Sequence, residues 1–153
     1  MERLEEFLAG RRIACLATEN PDGSAYLTAV WFLYEEGAVY VGTSGTSRKA
    51  RNAAERPRAS IMVDSRGPKR QRGFSASGAV TLLRGDEARA VNDRILARYL
   101  TPAGIAEPGL GGAIAAGDDV TLRLDPGPWR SWSTAEDFGG LLDAPGLSLP
   151  IED

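Results

Sequence analysis

The residues best suited to do chemistry in this chain are consecutive: Gly42-Thr43-Ser44-Gly45-Thr46-Ser47-Arg48-Lys49-Ala50-Arg51-Asn52. They follow a strand-like run, Ala38-Val39-Tyr40-Val41, and open a segment of helical pattern. Glycines leave backbone N–H groups accessible and hydroxyls add donors. Arg48, Lys49 and Arg51 put three cations in or just beyond the first turn. A helix start of this composition is an anion site, most often one for phosphate. Two well-defined phosphate loops are excluded. A Walker A loop needs a Gly-Lys pair, and Gly45 is followed by Thr46. A dinucleotide fingerprint needs Gly-x-Gly-x-x-Gly within a βαβ unit, and neither is present. The competing reading is a capped, solvated surface helix, and the local sequence leaves both open.

Composition removes other chemistries. The chain has no histidine, so Ser-His-Asp and Cys-His catalysis, the usual zinc sites and histidine-ligated haem are excluded. Cys15 is the single cysteine, which allows no intrachain disulfide and no cysteine metal cluster; no metal is expected. Its apolar neighbours, Ile13-Ala14 and Leu16-Ala17, predict a small buried side chain. A net charge of −3 gives no general attraction to nucleic acid. No apolar run approaches the roughly 18 residues of a membrane span. The acidic start, Met1-Glu2-Arg3-Leu4-Glu5-Glu6, does not match a signal peptide. Neither a nucleic-acid nor a membrane partner is expected, and cytoplasmic residence is.

The elements that must position the anion site come from periodicity and turn chemistry. With 153 residues, 42% of them apolar, the chain can bury the core of one domain. Leu4, Phe7 and Leu8 share a helical face that Gly10 ends. Strands are predicted at residues 12–18, 24–34 and 38–43, separated by the Asn20-Pro21-Asp22-Gly23 turn and a hairpin at Glu35-Glu36-Gly37. A helix over residues 46–55 stops before Pro57. Strands at 58–64 and 73–83 flank a polar loop carrying Arg66, Lys69, Arg70 and Arg72, and Gly78 marks a bulge or a close backbone approach. Gly85-Asp86 starts a helix to Leu100 with Val91, Ile95 and Tyr99 on one stripe. Residues 101–117, with five glycines and two prolines, read as loop with at most one helical turn. Two final strands, 119–124 and 129–133, surround Asp125-Pro126-Gly127-Pro128. The pattern predicts a mainly β (α+β) domain over residues 1–134, a small barrel of six to seven antiparallel strands with a few short helices. An acidic Gly/Pro-rich tail, 135–153, is expected to be extended or partly disordered.

Several of these pieces, taken in order, match a known pattern. Ala14-Cys15-Leu16-Ala17-Thr18, Pro21-Asp22-Gly23 and Leu27-Thr28-Ala29-Val30-Trp31-Phe32 open it. Val41-Gly42-Thr43, Ser47-Arg48-Lys49-Ala50-Arg51-Asn52 and Arg56-Pro57-Arg58-Ala59-Ser60-Ile61-Met62-Val63-Asp64 continue it, and Ser75-Ala76-Ser77-Gly78-Ala79-Val80 closes it. Over residues 5–133 the chain resembles the pyridoxamine 5′-phosphate oxidase-like split β-barrels, and within them the flavin/deazaflavin oxidoreductases.

The resemblance implies a homodimer with cofactor sites between subunits, binding FMN or the deazaflavin coenzyme F-420, with a hydride passed to or from a small conjugated substrate. Thr28, Ala29, Val30 and Trp31 would line the isoalloxazine, partly through backbone groups. Thr43, Ser44, Ser47, Arg48 and Lys49 would hold the phosphate, with Asn52 beside them and Arg51 solvated. Trp132 and Arg130 of the last strand would lie near the partner's cofactor. The basic loop could screen the polyglutamyl tail of coenzyme F-420. Departures are also visible. The Arg-x-Val-Leu-Leu-Lys-type motif of true pyridoxamine phosphate oxidases is replaced by Thr28-Ala29-Val30-Trp31-Phe32-Leu33, and only Trp129-Arg130 matches their C-terminal segment. Vitamin B6 oxidation is therefore not expected, and the histidine ligand of haem-degrading relatives is missing. No catalytic acid or base is assigned; water or a hydroxyl such as that of Ser77 or Tyr26 could supply a proton, and neither residue is singled out. The alternative is a non-catalytic flavin or tetrapyrrole carrier, or a cofactor-free dimeric barrel.

Overall fold

Turns set the first register. At Asn20–Gly23 the Asp22 carboxylate accepts from both the N–H and the hydroxyl of Ser24, and Gly23 takes φ +85°. Those two bonds hold the Asp22 carboxyl below the usual aspartate range. At Glu36-Gly37 both residues have positive φ, +50° and +81°, as a two-residue type I′ hairpin requires. In the computed structural model, which describes residues 3–67, 70–115 and 117–149, these turns join strands of one antiparallel sheet.

The strands are β1 (Ala14–Glu19), β2 (Ala25–Val30), β3 (Leu33–Glu35), β4 (Ala38–Thr43), β5 (Arg58–Gly67), β6 (Arg70–Arg84), β7 (Val120–Pro126) and β8 (Arg130–Ser133). They run in the order β2-β1-β5-β6-β7-β4-β3, with β8 on β6. The two end strands of this path, β2 and β3, are joined by only Trp31 and Phe32, so the sheet curls until its ends meet. That is a split barrel. Its β6 pairs β5 along one edge and divides the other between two partners: residues 72–75 pair β8 and residues 78–84 pair β7. Inward side chains Leu16, Val30, Phe32, Val39, Val41, Ile61, Val63, Leu122 and Leu124 fill the barrel, and Phe7 and Leu8 of helix α1 (Leu4–Ala9) close one end.

The eight strands among the described residues exceed the expected six to seven because the 24–34 run breaks. Tyr99, at the end of α3 (Gly85–Tyr99), places its hydroxyl at the break. It donates to Arg12 O at 2.7 Å and accepts from Phe32 N–H at 3.3 Å, replacing strand pairing there. The expected basic loop is instead a continued hairpin, with Ser65 opposite Arg72 and Gly67 opposite Arg70; Lys69 lies outside the described residues. The 101–117 stretch forms two helices, α4 (Pro102–Ala106), capped by Thr101 Oγ1, and α5 (Pro108–Ala115). Gly111 lets them pack, because a Cβ there would meet Ile105 O at 2.3 Å. In the 135–153 tail, α6 (Thr134–Phe138) and a 3-10 turn at Leu141–Asp143 replace extended chain.

Cys15 is also corrected. Strand alternation sends Ala14, Leu16 and Thr18 into the barrel and leaves Cys15 half-buried on the outer face. Gly78 is the close approach its sequence implied: a Cβ would stand 2.0 Å from Asp125 O across the β6–β7 ladder.

Candidate functional site

Helix α2 (Arg48–Glu55) starts where β4 ends, and hydroxyls connect them. Thr43 Oγ1 donates to Ser47 Oγ at 2.9 Å, and Ser47 Oγ accepts the Ala50 N–H as the helix N-cap. The cap satisfies one orphan donor and leaves the Arg48 and Lys49 N–H groups without intrahelical acceptors. Lys49 is half-buried, and that desolvation holds its ammonium below the usual lysine pKa. No hydrogen bond or ion pair to another described residue offsets it. Arg48 is exposed, and Arg51 projects into solvent as expected. A half-buried cation beside free N–H groups and hydroxyls is a donor set suited to a phosphate.

Asn52 does not join this set. It is 1% exposed, and its Nδ2 donates to Thr18 Oγ1 at 3.2 Å and to Asn20 Oδ1 at 3.0 Å. Helical spacing put it near Arg48, but the amide points into the barrel and ties α2 to β1. Gly45 N–H is likewise committed, to Asp118 Oδ1 at 3.0 Å.

A cavity of about 750 Å³ opens beside the loop. Gly42, Thr43 and Ser44 form one wall, Trp31 another, and α3, α4, α5 and the segment Gly117 to Asp119 before β7 the rest; Arg48 and Lys49 do not line it. Trp31 stacks on Tyr99 with ring centroids 5.0 Å apart and planes within 4°. Asn92 also belongs here, although no sequence motif marks it. It sits where Gly42 leaves room, accepts from Thr121 Oγ1 at 2.7 Å, and joins α3 to β4 and β7. Only the missing Cβ of Gly42 could have hinted at it.

The remaining predicted residues fall on the outer sheet. Val30 is buried and Thr28 is on the inward side of β2, so only their backbones face outward. Ala29 pairs Cys15, which pairs Met62, which pairs Ser75, which pairs Arg130. Ala29 and Arg130 therefore share one row of the outer face. Trp132 lies one row on, opposite Gly73. Trp129 instead packs edge-on to Tyr34 against the core, at 6.2 Å.

Arg130 and the phosphate loop are far apart within one subunit. The row of Thr43 meets β6 at Arg84 and that of Arg130 meets it at Ser75, nine residues along the strand. At about 3.4 Å per residue this is a path of roughly 30 Å along β6, which puts the two towards different ends of that strand. The hairpin arginines are engaged too: Arg66 pairs Asp64 at 2.6 Å, and Arg72 lies over the Phe7 ring.

A sequence model of the pyridoxamine 5′-phosphate oxidase family matches residues 1–133. The chain belongs to that family. No curated protein matches it in sequence. Among solved structures, a conserved hypothetical protein from Mycobacterium tuberculosis is 26% identical with a TM-score of 0.73, covering 99% of this chain and 93% of that one. An F-420 reductase is 24% identical with a TM-score of 0.65, covering 85% and 98%. A heme storage protein from Vibrio cholerae is 19% identical with a TM-score of 0.64, covering 84% and 90%. The last two likenesses show the pyridoxamine 5′-phosphate oxidase-like fold alone. No helix among the described residues is long and apolar enough to cross a membrane.

Proposed function

We propose that the protein is an oxidoreductase that binds FMN or coenzyme F-420 and acts as a homodimer on a small conjugated substrate. The observation that carries this reading is Lys49, a half-buried ammonium without a partner among the described residues, at the start of α2 beside Thr43 and Ser47. Both cofactors present a phosphate on a ribityl chain. Lys49, Arg48 and the first N–H groups of α2 would hold it, with Thr43, Ser44 and Ser47 contributing hydroxyls. When bound, the isoalloxazine or deazaflavin supplies the hydride chemistry, and the protein supplies orientation and exclusion of water.

The dimer reading rests on the outer face. Cys15, Ala17, Leu27, Ala29, Ser60 and Met62 give it an uncharged centre, flanked by Arg130 on one side and the Glu19–Arg58 pair on another, and Leu27 is 64% exposed. Such a patch favours a protein partner. A second copy would bring its Arg130 and Trp132 to a site that lies towards the other end of β6 from these residues within one chain. The carrier alternative draws on the heme storage likeness, but a chain without histidine offers no imidazole ligand to haem. Fluorescence-quenching titrations with FMN and with F-420 test the proposal. Sub-micromolar binding of one cofactor, followed by reoxidation of its reduced form by an added conjugated acceptor, supports it; no uptake of either overturns it.

A further inference from the structure

The cavity beside the phosphate loop has a charge that does not suit a phosphate. Among its described lining residues are four carboxylates, Asp93, Glu107, Asp118 and Asp119, against one guanidinium, Arg89. Three of the carboxylates are fixed by protein donors. Glu107 Oε2 accepts the Leu110 N–H at 2.6 Å, Asp118 Oδ1 the Gly45 N–H, and Asp119 pairs Arg89 at 3.1 Å. The negative field is therefore part of the fold rather than a property of mobile side chains. Between these acids the wall is apolar: Ile95 from α3, Ile105 from α4 and Ile114 from α5. Trp31 has one face covered by Tyr99 and still exposes 36% of its surface. A volume of about 750 Å³ accommodates a small organic molecule.

We propose that this cavity, which adjoins the phosphate loop and shares Trp31, Thr43 and Ser44 with the cofactor residues named above, takes an apolar organic cation, a protonated amine on an aromatic or aliphatic body, and rejects the matching carboxylate. The amine would sit among the carboxylates and near the Trp31 ring, where a cation is attracted by the π-face. Its apolar body would cover the isoleucines. The cations of the α2 start lie outside the cavity, so the two sites have opposite charge preferences and need not share a ligand. The proposal does not depend on cofactor binding.

The test uses three probes with one body: 1-naphthylmethylamine, 1-naphthylmethanol and 1-naphthoic acid, each titrated calorimetrically into the cofactor-free full chain at pH 7 and low salt. The expected order is amine, alcohol, acid, with at least a tenfold gap between amine and acid that narrows as salt is added. Gly112 faces open space at the lining of the cavity, and leucine is a better helix former than glycine. Gly112→Leu is thus expected to fold and to abolish binding of all three. Asp93→Asn removes a carboxylate that makes no hydrogen bond or ion pair to another described residue, and is expected to weaken the amine several-fold while leaving the alcohol unchanged. Absence of binding at millimolar probe, acid binding as tight as amine, or amine binding that survives Gly112→Leu would each overturn the proposal.

Discussion

Replacing Asn52 by alanine separates packing from ligand binding at the α2 start. The side chain is 1% exposed and gives two neutral hydrogen bonds, to Thr18 at 3.2 Å and Asn20 at 3.0 Å. Each such bond is worth about 0.5–1.5 kcal/mol net, and the buried Thr18 hydroxyl would lose a donor. The combined loss is about 2–3 kcal/mol. For a domain of this size each kcal/mol moves the melting temperature by about 2–4 °C, so Asn52→Ala should melt roughly 4–12 °C lower. Urea unfolding followed by tryptophan emission should show a lower midpoint with an unchanged slope. Flavin or inorganic phosphate affinity of the folded protein should stay within about twofold. Asn52→Asp, which keeps the size but loses both donors, should be at least as unstable. A variant with unchanged melting and a tenfold loss of flavin affinity would show that Asn52 is a ligand and that the reasoning is wrong.

Other outcomes follow from single residues. Lys49→Met should weaken phosphate-bearing cofactor by about 10–100-fold, the worth of one charged hydrogen bond, measured by titration. Because burial lowers the Lys49 pKa, the free protein binds fewer protons than the unfolded chain between that lowered value and 10.5, and wild-type stability should rise with pH across that window. In Lys49→Met this part of the rise should vanish in a pH series of urea midpoints. Gly78→Ala drives a Cβ into Asp125 O and should destabilise by on the order of 3 kcal/mol or more; a midpoint shift under about 1 kcal/mol would contradict the close approach. Tyr99→Phe removes the hydroxyl that bonds Arg12 O and Phe32 N–H. It should cost about 1–2 kcal/mol and shift Trp31 emission as the stack loosens.

What could be read from the sequence was local. The Asn20–Gly23 turn, the Glu36-Gly37 hairpin and the α2 cap each depend on residues within a few positions, and Gly78 declared a close approach by lacking a Cβ. What could not be read depends on partners far along the chain. The break after Val30 needs the Tyr99 hydroxyl, 67 residues from Phe32. Asn52 turns inward because Thr18 waits 34 residues away. Cys15 sits in an apolar run on both sides, and only the pairing of β1 with β2 and β5 decides which face it takes. The 101–117 helices were hidden by glycines that permit helix–helix contact as readily as they disrupt a helix. In the 65–72 stretch the arginines have partners that the run itself does not contain: Arg66, still largely exposed, pairs Asp64, and Arg72 lies over the Phe7 ring. The capped, cation-bearing start of α2 was therefore legible, while the cavity beside it and the outer face of the sheet were not.

The central claim is that the start of α2 holds a cofactor through its phosphate. Titrating the wild-type protein with FMN and with riboflavin, which differ only in that phosphate, tests it directly; for the deazaflavin, F-420 is compared with its phosphate-free chromophore, which also lacks the polyglutamyl tail, so there the effect of Lys49→Met on the difference carries the test. The account predicts that the phosphorylated member of one pair binds at least 100-fold more tightly, and that Lys49→Met removes most of the difference. Equal affinity for the two members of both pairs, or a difference untouched by Lys49→Met, would contradict it.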